Sequence, residues 1–262
     1  MVNSWLDEIP IWLMFAGTVG VTLMALEVGY RLGLRRNSSP DHEKDGPVAA
    51  TVAAVMTLLG LLLAFIFSFA ANRFEERRKV LIDESNNIGT CYLRTSMLPA
   101  PHGAACRKLL REYVDARLEG ARDVAALDAA VDRSLQLQNE LWTHATAVAK
   151  ADDKSIQIGL FVQSLNAVID SHSERLTASL RTRLPGVVWT VLYALTVFSF
   201  CGVGYQLGLV QSARSPALAA AAIAFAMTLW LVVDLERPHQ GALRINQQPM
   251  IDLRASMTEP SS

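Results

Sequence analysis

The residues whose chemistry would announce catalysis or metal binding are few and scattered. The histidines are His42, His102, His144, His172 and His239, and the cysteines are Cys91, Cys106 and Cys201. Only His102 and Cys106 stand four apart, on one face of a helix. Two ligands with no second pair do not make a structural zinc site, and a solvated imidazole beside a buried thiol suits that spacing better. Cys91 and Cys106 flank Pro99 and Pro101 and would pair only in an oxidising compartment, so three free thiols are expected. The sequence holds no glycine-rich phosphate loop, no nucleophile elbow and no HExxH. It predicts no enzyme, no catalytic residues, no metal and no cofactor. Glu27 is the one acid well inside an apolar stretch, where an ionisable group is a functional candidate by default. Arg31, one turn away, offers it an ion pair near the membrane interface, which is the simpler reading.

A different chemistry lies between residues 48 and 79. Val48 to Ala71 carries no charge. Within it Leu61, Phe65 and Phe69 recur at i, i+4 and i+8 and stack along one helix face. Placed around the axis of an oligomer, such a row forms an apolar constriction that gates by dewetting. Facing lipid or neighbouring helices is the alternative that the same spacing allows. Arg73, Arg77, Arg78 and Lys79 follow at once. As a ring beside the constriction they would raise the local anion concentration. As a membrane flank they would anchor the chain to anionic lipid.

The elements that must position these residues follow from where the apolar residues fall. Of 262 residues 51% are apolar, with a net charge of -1. That is too apolar for a disordered chain and gives no sign of a nucleic-acid binder. The apolar runs gather at both ends of the chain and the charges in its middle. A membrane span needs roughly 20 mostly apolar residues. Four stretches qualify: Ile11 to Tyr30, Val48 to Ala71, Val187 to about Val210, and Ala217 to Val233. The segment before the first carries Asp7 and Glu8 and no base, unlike a signal peptide, so the first helix is expected to be retained. Asp45 and Pro47 suit a helix start. No proline follows until Pro99, which predicts one helix of about 50 residues, near 75 Å long, crossing the membrane and continuing into water. The change of solvent falls at Asn72.

The middle of the chain reads as a helical bundle. One face carries Leu109, Leu110, Tyr113, Val114 and Leu118. A second carries Leu127, Val131, Leu135, Trp142, Ala145 and Val148. A third carries Leu160, Phe161, Leu165, Val168, Ile169, Leu176 and Leu180. The organisation predicted is an N-terminus with the first span (1–33), a loop (34–47), the second span (48–71), a soluble helical domain (72–184), the third span (187–210), the fourth span (217–235) and an irregular tail (236–262), its last residues, from Ser256, disordered. Arg31, Arg35, Arg36 and Lys44 lie between the first two spans. Arg73, Arg77, Arg78, Lys79, Arg175, Arg181, Arg183 and Arg237 lie on the other side. By count the positive-inside rule puts the large domain and both termini in the cytoplasm, whereas the first helix taken alone favours the reverse.

These residues resemble the bestrophin family. Leu59-Gly60-Leu61-Leu62-Leu63-Ala64-Phe65, leading into Asn72-Arg73-Phe74-Glu75-Glu76-Arg77-Arg78-Lys79, is similar to its second helix. Ser85-Asn86-Asn87 resembles a Ser-Arg-Asn element of that helix, and Ser173-Glu174-Arg175-Leu176 its Cys-Glu-Arg-Ile motif. Asp234-Leu235-Glu236-Arg237-Pro238, with Gly241 and Asn246, resembles the segment after the fourth span. From about Val48 to Leu253 the chain is closer still to a bacterial bestrophin-like family with no assigned function. The resemblance implies an all-α membrane protein with four transmembrane helices and a soluble helical bundle between helices two and three. It implies a pentameric ion channel whose second helix lines the pore and whose neck falls on Leu61, Phe65 and Phe69. It also implies partners: the lipid bilayer of a bacterial plasma membrane, other copies of the chain, and inorganic ions. The sequence departs from bestrophins proper in three ways. The paired tryptophans near Phe74 are missing, the apolar-to-basic junction is about one turn shorter, and no acidic calcium cluster follows Pro238, so no calcium gating is expected. Charge selectivity does not carry over, because an apolar neck chooses no sign; an anion preference is expected from the bases beyond it. The rival expectation is a non-conducting scaffold or sensor that binds a partner through its helical domain. The oligomeric state separates the two.

Overall fold

The helices here are apolar or amphipathic runs, and among the described residues there is no strand. The structure is a computed structural model that describes residues 9–37, 45–123, 125–178, 184–212, 216–237, 241 and 243–257. The helices are α1 (Ile11–Asn37), α2 (Asp45–Arg94), α3 (His102–Arg122), α4 (Leu127–Ala151), α5 (Ile156–Leu176), α6 (Gly186–Leu209), α7 (Pro216–Glu236) and α8 (Gln248–Ser256). Four of them, α1, α2, α6 and α7, are long and apolar enough to cross a membrane. The 50-residue α2 is the uninterrupted helix that the absence of proline predicts. The chain forms two compact units, one of Met1–Arg73 with Arg183–Leu243, the other of Phe74–Thr182 with Arg244–Ser262.

In the first unit α1 and α6 meet backbone to backbone. Gly29 and Gly33 on α1 face Cys201, Tyr205 and Gly208, while Gly204 and Gly208 on α6 face Leu26, Tyr30 and Leu34. A Cβ at any of the four would run into the other helix's main chain. Both helices therefore carry a small-xxx-small pair, which in lipid, where no hydrophobic effect joins helices, lets packing do so. Thr18 Oγ1 and Tyr193 Oη, 3.0 Å apart, add a hydrogen bond across the same pair. Ala25, Phe200 and Ala222 form a small core, with Phe225 edge-on to Phe200 at 5.5 Å.

The second unit has a conventional apolar core. Ile88, Cys91, Leu110, Tyr113, Leu137, Leu141, Phe161 and Leu165 are fully buried in it. Ser155 caps α5 by accepting from the Ile158 N–H at 3.4 Å. Two sequence expectations need correction here. On α4 the buried face is Leu127, Ala130, Ser134, Leu137, Gln138, Leu141, Ala145 and Val148, so Leu127, Ala145 and Val148 lie where expected, whereas Leu135 and Trp142 are 44% and 39% exposed. The stripe is rotated because two polar residues, Ser134 and Gln138, lie on the buried side, where an apolar count misses them. The tail is not irregular throughout: Gln248–Ser256 is a helix, and Met250 and Met257 are buried in the core of the second unit. Leu180, expected on the α5 face, and the residues beyond Met257 lie outside the described residues.

Candidate functional site

The apolar row stands where its spacing puts it, on one face of α2. Leu61, Phe65 and Phe69 are 53%, 55% and 58% exposed in the single chain, while Leu59, Leu63, Ile66 and Ala70 on the opposite side are buried. Three large side chains, one turn apart, are thus more than half exposed in the single chain.

The cations next to the row are not a bare positive cluster. Arg73 pairs with Glu236, Nη1 donating to both carboxylate oxygens at 3.2 and 3.3 Å. Glu236 also accepts from the Leu184 N–H at 3.0 Å. Arg78 pairs with Glu75 at 3.3 Å, both well exposed, a contact worth little in water. Arg77 is buried. Lys79 lines a cleft with Glu76, Asp83 and Glu174, three carboxylates to one ammonium. Asn72 is exposed.

At the end of α7 Asp234 is fully buried, and its Oδ2 accepts from the Leu243 N–H at 2.8 Å. Arg237 is buried too and donates from Nη2 to the Ile9 carbonyl at 2.7 Å. Pro238, the last residue of that motif, lies outside the described residues. Glu27 and Arg31 form the expected pair at 2.7 Å.

Arg175 of the Glu174-Arg175 pair belongs to a buried polar centre in the second unit. Glu84, on α2 but 13 residues past the charge-free stretch, is fully buried. It takes a two-pronged contact from Arg117, Nε at 2.8 Å and Nη2 at 2.9 Å. Tyr113 donates to it at 3.3 Å, and Arg175 Nε lies 3.4 Å away. Arg175 Nη2 donates to His172 Nδ1 at 3.2 Å, so the neutral imidazole carries its proton on Nε2, which is buried and has no partner among the described residues. Beside this centre Asn87 donates to Ser171 Oγ at 2.7 Å, and Ser85 donates to the Pro249 carbonyl at 3.0 Å. Burial alone would raise the Glu84 pKa, but the charge and hydrogen bonds of Arg117, with Arg175, hold it below the usual carboxylate range. Burial, then the charge of Arg117, brings Arg175 down to about 10. Burial, then the charge of Arg175, brings His172 down to about 4. Sequence reasoning singled out Arg175 and placed Tyr113 on an apolar face, but missed Glu84 and Arg117. The signal available was a lone acid and a lone arginine inside otherwise apolar helix faces.

His102 meets His144 of α4, Nδ1 to Nδ1 at 3.0 Å. Cys106 is buried, and burial pushes its thiol up to about 11. The three cysteines are free thiols. Among the described residues no three acidic, histidine or cysteine side chains converge as a metal site would require.

The model of the Bestrophin-like domain matches residues 16–250. No curated protein matches the sequence. Among solved structures, a bacterial bestrophin homologue from Klebsiella pneumoniae, in a variant form, is similar with a TM-score of 0.67 at 14% identity, covering 94% of this chain and 97% of its own. A second crystal structure of a homologue from that organism gives 0.61 at 18% identity, covering 95% and 96%. At such identities the likeness is one of fold: all-α, with four membrane helices and a helical bundle between the second and third. With nearly the whole sequence matched by its family model, this chain belongs to the bestrophin-like family.

Proposed function

We propose that the chain is a bestrophin-type ion channel in a bacterial plasma membrane, a homo-oligomer of five copies with α2 around the axis. The observation that carries this reading is the row Leu61, Phe65 and Phe69. It consists of three bulky apolar side chains, each more than half exposed, on a helix whose other side is buried. Copies that meet around that face produce a narrow apolar neck, which admits ions only when wetted. Family membership and fold support the reading. The large helical unit and both termini are assigned to the cytoplasm by the excess of arginine and lysine on that side.

Anion preference rests on the block Arg73 to Lys79. Because Glu75, Glu76, Asp83, Glu174 and Glu236 lie beside these bases, the preference is expected to be modest. Planar-bilayer recording tests both parts. Phe65→Ala and Phe69→Ala widen and wet the neck and raise conductance, and the reversal potential in a KCl gradient lies on the chloride side of zero. Mutants that conduct no better than the parent would sink the neck assignment.

A further inference from the structure

The first unit holds a cleft between α2 and α6 that pore formation does not require. Its volume is about 540 Å³, within the range of small-molecule sites. Leu62, Ile66 and Phe69 wall it on α2, and Val188, Val191 and Leu192 on α6. Arg73 is the one charged side chain among its described lining residues. We propose that this cleft binds a single long-chain fatty acid, its acyl chain between the two helices and its carboxylate on Arg73.

The occupant follows from shape and charge. An apolar cleft at the level of the charge-free stretch has no reason to hold water and loses contacts if empty. Arg73 stands just after Asn72, where the apolar stretch ends and an acid headgroup in a bilayer would lie. A guanidinium there makes charge-assisted hydrogen bonds to a carboxylate in a low-dielectric setting. Glu236 engages Arg73 through Nη1, and the Arg73 side chain is 23% exposed, so it stays within reach of a ligand. Should Arg73 turn to the ligand, Glu236 keeps the Leu184 N–H. Phe65 and Phe69 line the cleft as well as the proposed neck. A bound chain therefore presses on the rings that set the constriction, a regulatory consequence that rests on the channel reading, whereas the binding itself does not.

The test uses the full chain, purified and delipidated, with oleate and the uncharged oleyl alcohol as probes, read by native mass spectrometry. Oleate is expected to bind saturably and at least tenfold more tightly than the alcohol. Arg73→Gln should bring the two together, and Arg73→Lys should restore part of the difference. Val191→Trp should abolish binding of both. Val191→Cys, folded first and then blocked with a bulky maleimide, should do the same without asking a crowded variant to fold. Equal binding of acid and alcohol by the unaltered chain, or oleate binding undisturbed by a blocked cleft, would overturn the proposal. So would a Val191→Cys variant that cross-links to another copy and takes up no oleate, since a second copy would then fill the cleft. Flux is measured separately: oleate binding in a chain that never conducts upholds the fatty-acid site and defeats the channel reading.

Discussion

At the scale of the residue, the strongest constraint is the buried centre around Glu84. Two guanidinium groups face one carboxylate there, and the neutral imidazole of His172 adds no charge. Removing one member of a buried pair leaves the other uncompensated and costs roughly 3–5 kcal/mol. Glu84→Gln, which keeps the shape but leaves Arg117 and Arg175 without their counter-charge, should lower the stability of the second unit by about that much in chemical unfolding. His172 and Glu84 also set a pH dependence. Both have pKa values depressed in the fold, so the unfolded chain binds more protons as pH falls. Stability from His172 is complete above about pH 6.5 and drains away down to about pH 4, on the order of 3 kcal/mol in all; Glu84 extends the loss below that. His172→Gln should flatten the thermal-unfolding profile between pH 6.5 and 4. A profile unchanged by the substitution would mean that the imidazole is not held neutral. In the sequence Arg175 stood out and Tyr113 fell on an apolar face, but the pairing of Glu84 with Arg117 did not show. Glu84 and Arg117 stand 33 positions apart, and only the packing of α2 against α3 makes them neighbours.

At the scale of the element, the membrane helices were legible because lipid leaves so few options. A span must be long, apolar and self-satisfied in its hydrogen bonds, and that pattern survives any detail of packing. The soluble helices were legible in existence and less so in face. Leu135 and Trp142 were expected on the buried side of α4, whereas that side runs from Leu127 through Leu137 and Leu141 with Ser134 and Gln138 among them. Substitution separates the two assignments. Leu141→Ala, in the fully buried face, should cost about 2–5 kcal/mol. Trp142→Ala, at a site 39% exposed, should cost clearly less despite the larger side chain. The reverse order in denaturant titrations would restore the sequence-based face. Helix α8 escaped sequence reading because nine residues that open on a glutamine and a proline give no periodic signal. Its order comes from Met250, buried in the apolar core.

At the scale of the whole molecule, the proposed channel requires copies beyond the single chain. The family and the architecture were legible in short blocks around Leu59 to Lys79 and Asp234 to Arg237, and the family match over residues 16–250 bears that out. What a single chain offers toward a pore is the outward row of Leu61, Phe65 and Phe69. Exposed large apolar groups in line imply a partner surface, lipid or another copy, and a symmetric ring about α2 would turn the row into a neck. The direct measurement is the mass of the complex extracted into nanodiscs. A mass of five chains, with a continuous axial path between the second helices, is the result expected. A monomer or a dimer would contradict the pore, since neither closes a ring around α2, and would leave the helical unit as a partner-binding scaffold.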